Sequence, residues 1–246
     1  MGNMNNINRW GKFTSSNIYK LIKLNPKGDF QAPGLTYIQE KAIETRMQSC
    51  LDGNAHTQAL AWGNFMELVV YSILGVQYQI SSKETMPHPV HGKFWSGSKD
   101  LFTVDKNGKI ESIAEIKCYQ KKNFAQYTDC ILKKDIELFK TEFPKEYWQI
   151  VSNACIDNVE IGEAITYMPY ISEYEEIKEM AENYDGADAW KYKFIWDLPV
   201  SDLPFLPDGG YYKNINKFAF VVPQEDKDLL TSRILLAEEK KQTFLI

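Results

Sequence analysis

Four cysteines in 246 residues, Cys50, Cys118, Cys130 and Cys155, form no Cys-x-x-Cys pair. That spacing argues against an iron–sulfur or zinc cluster held by cysteine, and it fits reduced thiols in a cytoplasmic protein. No apolar run approaches the roughly 20 residues that span a bilayer. The opening MGNMNNINRW lacks the apolar centre of a signal peptide. Internal repeats and low-complexity linkers are also missing. Positive charge is in short supply: 28 Lys and Arg stand against 33 Asp and Glu, a net charge of −5. The average charge therefore gives no support to nucleic-acid binding. What the chain does have is material for a core. Apolar residues make up 44% and charged residues 25%, which excludes disordered and fibrous classes. A chain of this length can bury roughly 70–75% of its unfolded surface.

The distribution of charge says more than its sum. Residues 1–28 carry Arg9, Lys12, Lys20, Lys23 and Lys27 with no acid, whereas residues 170–190 hold seven acids and one lysine. The two regions are suited to different partners. The expectation is one domain over 1–246, with a basic N-terminal segment (1–28) and a C-terminal extension of unassigned role (171–246).

The residues up to about Trp10 are expected to be flexible. Thr14-Ser15-Ser16 before Ile18, Leu21 and Ile22 reads as a capped short helix, ended by Asn25-Pro26-Lys27-Gly28. Helices are expected at Thr36–Met47 and Thr57–Leu74, the latter on the 3.6-residue period of Trp62, Phe65, Met66, Val69 and Ile73. Strand patterns cover Lys93–Val104 and Ile110–Tyr119. Beyond them, helices are expected at Asp129–Phe143 and Tyr147–Ile156, and a strand at Ala164–Tyr170. Ser172 and Glu175 read as the capping box of an acidic helix. Strands at Trp190–Trp196 and Phe218–Val222 and a helix at Glu225–Lys241 complete the chain. The mixture predicts an α/β fold, a sheet with helices packed on it.

The sharpest inference comes from Asn107-Gly108 between two strand patterns, a strong hairpin signal. With those two as the turn, Lys106 pairs with Lys109, Val104 with Glu111, Phe102 with Ile113, and Asp100 with Glu115. Opposite residues of an antiparallel pair project to one face about 5 Å apart. Lys117, two residues beyond Glu115, shares that face, while Ala114, Ile116 and Cys118 point the other way into apolar material. Two carboxylates and an ammonium are thus brought together. Adjacent carboxylates repel unless a positive charge stands between them. Magnesium or manganese, both oxygen-seeking, meets that need, with the Ile116 carbonyl as a further ligand. Lys117 would orient or help deprotonate an attacking water, or neutralise charge on a phosphorane. Such a site suits phosphodiester hydrolysis. The plain alternative is a surface cross-strand pair with Lys117 balancing Glu115, and a register slip of one residue would part the carboxylates.

Three further positions bear on this site. Glu67 sits among apolar neighbours in Trp62-Gly63-Asn64-Phe65-Met66-Glu67-Leu68, where a carboxylate needs a partner. A third metal ligand, a carboxylate on a metal-held water and a helix-rim position are all open. Gly63 suits close packing or substrate approach, or is incidental. The Gln149 amide suits a scissile phosphate or a ligand water, or is simply exposed. Lys121 and Lys122 suit phosphate contacts or solvent. Ser15 and Ser16 suit hydrogen bonds to a terminal phosphate, with exposed N–H groups at the start of the short helix and Lys20 and Lys23 extending the surface. A cap with solvated lysines is the alternative.

Taken together, Ser-Gly-Ser-Lys-Asp100, Ala-Glu115-Ile-Lys117, Trp-Gly-Asn with Glu67 on a helix, and Tyr-Trp-Gln149-Ile stand in an order that resembles the PD-(D/E)XK nuclease superfamily. The likeness spans roughly residues 12–170. It is greatest to the YqaJ or lambda-exonuclease-like phage recombination nucleases. Lys99 stands before Asp100 where the signature often has proline. The resemblance implies a restriction-endonuclease-like core, a mixed central β-sheet flanked by α-helices. It implies Asp100 and Glu115 as metal ligands, Lys117 as catalytic, Glu67 completing the acidic site, and Gln149 holding substrate or a metal water. The expected activity is Mg2+-dependent digestion of linear double-stranded DNA from an end, with Mn2+ able to substitute. A ring trimer and a single-strand annealing protein are the implied partners, and recombination the setting. A restriction-like endonuclease, an RNA-directed nuclease and a non-catalytic nucleic-acid-binding or assembly subunit remain open.

Overall fold

The computed structural model describes residues 9–51, 57–81 and 84–245. The expected flexible start lies almost wholly outside them. The elements in chain order are β1 (Phe13–Thr14), a 3₁₀ helix (Ser15–Leu21), α1 (Ala32–Met47), α2 (Gln58–Leu74), β2 (Gln79–Ile80), β3 (Met86–Pro87), β4 (Trp95–Gly97), β5 (Leu101–Val104), β6 (Ile110–Lys117), α3 (Lys121–Leu132), α4 (Ile136–Glu142), α5 (Pro144–Asp157), β7 (Ile161–Tyr167), α6 (Tyr174–Glu182), α7 (Phe194–Asp197), β8 (Ile215–Val221) and α8 (Gln224–Thr243).

A five-stranded sheet in the order β2-β5-β6-β7-β8 forms the centre, and a small sheet β1-β4-β3 lies apart from it. β6 and β7 run parallel, and every other neighbouring pair in the large sheet is antiparallel. The crossover from β6 to β7 is α3, α4 and α5, since parallel strands need a long connection. One face of the sheet packs against α3 and α5, and the 3₁₀ helix and α8 pack in turn on α5; Ile113, Ala164, Phe218 and Phe220 share one core with Phe139, Tyr147, Ile150 and Ile234. The other face lies under α2, α6 and α7, with Leu101, Ala114, Ile116 and Ile165 against Trp62, Phe65, Val69 and Ile195. Each large side chain fully buried here contributes about 1.5–3 kcal/mol. The mixed sheet flanked by helices matches the expected fold class.

Local chemistry explains the departures from the sequence reading. The hairpin turn is a three-residue loop: Gly108 N–H donates to the Asp105 carbonyl at 2.9 Å and Asp105 N–H to the Lys109 carbonyl at 2.8 Å. Gly108 takes φ +80°, the left-handed residue such loops require. Val104 therefore pairs with Ile110 rather than Glu111, and Asp105 stands where Lys106 was expected. A bulge between Thr103 and Val104 absorbs the shift, and Phe102 faces Ile113 as the hairpin predicts.

The Lys93–Val104 pattern divides into β4 and β5, which belong to different sheets. The Asp129–Phe143 helix breaks at Lys134, where φ is +53°, and Asp135 caps α4 through the Leu138 amide at 3.0 Å. Helical turns replace the expected Trp190–Trp196 strand. The cap before α6 uses Glu173, which accepts from the Tyr170 amide at 2.6 Å, while Ser172 bonds Asp208 instead. α1 starts four residues early because Pro33 suits its first turn.

The motif-free C-terminal stretch proves integral to the fold. β8 is an edge strand of the large sheet. From α8, Arg233 donates to the Ile22 carbonyl at 3.1 Å and Lys241 to the Gly11 carbonyl at 2.9 Å. Those bonds fix the N-terminal segment over the core. No helix among the described residues is long and apolar enough to cross a membrane.

Candidate active site

Asp100 lies one residue before β5. Its amide donates to the Ala114 carbonyl at 3.3 Å, continuing the ladder so that it stands opposite Glu115. Its Oδ2 accepts from the Ile116 amide at 2.7 Å. Lys117 Nζ is 3.5 Å from Glu115 Oε2. The expected trio is therefore assembled, and Ala114, Ile116 and Cys118 are buried on the opposite, α2-covered face.

Glu115 is wholly buried. Burial and the neighbouring Asp100 carboxylate push its pKa well up, while Lys117 and a bond from Asn153 oppose the rise. Burial pulls on Lys117 in the other direction, but Glu115, Asp100, Glu67 and Glu146 outweigh it and raise its pKa. Lys117 therefore keeps its proton at neutral pH. A protonated Lys117 suits charge neutralisation.

Helix α5 supplies the surroundings of Glu115 from a single face. Gln149 Nε2 donates to Glu115 Oε2 at 2.6 Å, and Asn153 Nδ2 donates to Oε1. Asn153 Nδ2 also donates to the Ser98 carbonyl at 3.0 Å. At the end of the helix, Asp157 Oδ1 is 2.8 Å from Lys99 Nζ, a nearly buried ion pair. Lys99 thus braces the segment leading into Asp100.

On the other side, Asn64, Glu67 and Tyr71 of α2 line a cleft of about 300 Å³ together with Ser81, Ser98, Lys99 and Asp100. Burial, with Asp100, Glu67 and Glu115 nearby, raises the pKa of Tyr71, so its hydroxyl stays a donor. Among the described residues no three His, Cys, Asp or Glu side chains form a ready metal cluster. Asp100 and Glu115 are the juxtaposed pair, and Glu67 faces the same cleft as Asp100. An alanine Cβ at Gly63 would meet the Cys118 carbonyl at 3.6 Å, an ordinary contact, so close packing does not demand glycine there.

A smaller polar pocket adjoins the site, lined by Arg9, Thr14, Ser15, Ser16, Thr85, Gly97, Ser98 and Gln149. Ser16 is half-buried, but Ser15 is buried and bonded to Ser152 and Asn153 at 2.8 and 2.7 Å. The Thr14 amide is taken by the Tyr37 hydroxyl at 2.8 Å. Lys20 lies 5.1 Å over the Tyr37 ring, while Lys23 is exposed. Lys121 and Lys122 are exposed in the first turn of α3, directly after the Glu115 strand.

The sequence reading missed Asn153, Lys99 and Asp157 as parts of the site. The signal for Asn153 was its place four residues after Gln149, which puts both amides on one helix face. Lys99 and Asp157 gave no such signal, because only the folded chain brings them together.

No family model and no curated protein matches the chain in sequence. Solved structures share its fold. LHK-Exo in complex with dAMP superposes with a TM-score of 0.60 at 13% identity, over 97% of this chain and 92% of that one. The alkaline exonuclease LHK-Exo from Laribacter hongkongensis gives 0.55 at 13% identity, over 96% and 92%. A phage-related exonuclease from Haemophilus somnus 129PT gives 0.61 at 13% identity, over 95% of each. The chain has the fold of these exonucleases along nearly its whole length, and the resemblance read from its motifs holds at the level of the fold.

Proposed function

We propose that the protein is a divalent-metal-dependent exonuclease acting on linear double-stranded DNA. The observation that carries this reading is the Asp100–Glu115 pair with Lys117 beside it, Asp100 lining a cleft, in a fold shared with exonucleases. The donors are all oxygen, and the pair's negative charge exceeds what Lys117 balances. Mg2+, or Mn2+ in its place, suits such a set, held by Asp100 and Glu115 with the Ile116 carbonyl as a further donor. The bound ion would supply Lewis acidity at the phosphate.

The chain's own groups do the rest. Lys117, kept protonated, stabilises the charge that builds on the phosphoryl oxygens as water bonds to phosphorus and the P–O3′ bond breaks. Gln149 and Asn153 fix Glu115. Glu67, Asn64 and Tyr71 give the nucleotide a polar wall. LHK-Exo has been solved with dAMP, a nucleotide of the kind this cleavage would release. Arg9, Ser16 and Ser98 in the smaller pocket suit a terminal phosphate. Lys20, Lys23, Lys121 and Lys122 suit the duplex backbone. Recombination in partnership with a single-strand annealing protein, from a ring of copies, is the setting this reading implies.

The deciding experiment compares linear 5′-phosphorylated, linear 5′-hydroxyl and covalently closed circular duplexes in Mg2+. The expected result is release of mononucleotides from the linear forms, fastest with the phosphate, and an intact circle. Cutting of the circle would make the protein an endonuclease, and RNA cleavage with no DNA cleavage would make it a ribonuclease.

A further inference from the structure

A file of buried polar side chains leads from β4 to Glu115. Trp95 Nε1 donates to Ser152 Oγ at 2.9 Å. Ser15 gives its one hydroxyl hydrogen to Asn153, so across their 2.8 Å contact Ser152 is the donor to Ser15 Oγ. Ser15 donates onward to Asn153 Oδ1 at 2.7 Å. The Asn153 amide cannot be reversed, because its Nδ2 faces the Ser98 carbonyl at 3.0 Å, which only accepts, and the same nitrogen donates to Glu115 Oε1. Every hydrogen in the file therefore points toward Glu115. The five side chains, Trp95, Ser152, Ser15, Asn153 and Glu115, are each at most 2% exposed. Gly97 leaves room for the file: a Cβ there would lie 2.0 Å from Ser15 Oγ and 2.3 Å from Asn153 Oδ1.

We propose that Asn153 is a positioning residue, holding Glu115 in its working orientation through this one-way relay, and that Ser15 ties that orientation to the neighbouring phosphate pocket. The inference rests on the nuclease reading for the role of Glu115 and the pocket. It gives Ser15 a different part from a phosphate ligand, since its single hydrogen is given to Asn153. Arg9 and Ser16 face the pocket without that commitment. A terminal phosphate seated there would press on Ser15, and through Asn153 on the carboxylate.

The test uses the full chain with Asn153→Ala and Ser15→Ala. Mn2+ binding is followed by calorimetry without DNA, single-turnover cleavage is measured at saturating DNA, and DNA affinity is measured in EDTA. Asn153→Ala should weaken Mn2+ binding and slow cleavage by about tenfold or more each, the usual scale for groups that orient a metal ligand. DNA affinity should stay within about twofold. Ser15→Ala, which does not touch Glu115, should shift the same two quantities in the same direction by a smaller factor.

Mn2+ affinity and rate both unchanged in a folded Asn153→Ala would overturn the proposal, as would a loss confined to DNA affinity. If Asn153→Ala does not fold, Ser15→Ala decides by the same criteria. A wild-type chain that cleaves no nucleic acid removes the nuclease reading, and the Mn2+ titration then decides the relay by itself. Absence of Mn2+ binding in that wild-type chain overturns both.

Discussion

On the α5 wall of the site, Gln149 and Asn153 hold Glu115 and Asp157 holds Lys99, and the polar atoms that make these contacts are largely buried. On the α2 wall, Asn64, Glu67 and Tyr71 line open space. The two walls divide the work. A buried, fully bonded network holds one geometry, because any other leaves a desolvated polar group unpaired. A polar wall open to solvent can meet a ligand that was not there before. The α5 wall therefore holds Glu115 in place, and on the nuclease reading the α2 wall is the side that meets the nucleotide.

The largest expected effect lies at the seam between the walls. Asp100→Ala or Glu115→Ala should lower cleavage by about 10³-fold or more, on the scale of losing a principal electrostatic group. Glu67→Gln, on the open wall, should cost less, about 10–100-fold. Lys117→Ala should slow single-turnover cleavage more than it weakens DNA binding, and arginine should not restore it, being planar and larger. Equal losses at Glu67 and Glu115 would erase the distinction between the walls.

Stability should separate them next. Lys99→Met leaves Asp157 nearly buried without its cation, which costs about 3 kcal/mol in such pairs. Glu67→Gln keeps the shape of a half-buried side chain and should change stability by less than about 1 kcal/mol. Denaturant unfolding measures both. A Lys99 variant as stable as the wild type would mean that the Lys99–Asp157 pair adds nothing to the tie that Asn153 makes to the Ser98 carbonyl.

This contrast also shows what the sequence made legible. The Asp100–Glu115–Lys117 set could be read because hairpin register follows from local rules, and it survived an error in the turn: the bulge beside Val104 restored the pairing at Phe102. α2 was equally local, with Thr57 capping through the Leu60 amide at 3.2 Å and Gly75 at its end. What could not be read was long-range. Lys99 and Asp157 are 58 residues apart, and Ser15 and Asn153 are 138 apart. Ser15 reads from the sequence as a donor to a terminal phosphate, because nothing nearby in sequence indicates that α5 will cover it. Trp190–Trp196 alternates like a strand, but its apolar residues are anchors for helical turns against α2.

Acid–base behaviour gives a finer probe of the locked wall. The Glu115 pKa is raised in the folded chain from an ordinary 4.5, by burial first and Asp100 second. A raised carboxyl pKa means that the folded state binds the proton more tightly than the unfolded state. With metal removed by EDTA, the contribution of Glu115 to stability is complete below pH about 4.5. It is then lost as pH rises toward the folded pKa, with a slope of up to about 1.4 kcal/mol per pH unit. Lys117, raised in turn, adds no slope near neutrality. Glu115→Gln should flatten the pH dependence of unfolding in this window. The slope is the quantity to compare, since a glutamine amide can accept from only one of Gln149 and Asn153. An identical slope in both proteins would show that Glu115 is not held in the buried state described.

The smallest expected effect concerns the basic surface outside both walls. Lys121 and Lys122 are exposed beside the strand that carries Glu115, whereas Lys20 is partly engaged by the Tyr37 ring. Each phosphate neutralised contributes about 0.9 to the slope of log affinity against log salt on duplex DNA. The double variant Lys121→Ala, Lys122→Ala should lower that slope by up to about 1.8. Lys20→Ala with Lys23→Ala should lower it by less, about one contact, because only Lys23 is free to reach a phosphate without leaving a ring. Filter binding in EDTA from low to moderate salt reads both. A larger drop from the Lys20 and Lys23 pair would move the duplex toward the N-terminal segment and its pocket. No change from either pair would leave DNA held by the cleft and pocket alone, with the chain's net negative charge nowhere offset by a basic track.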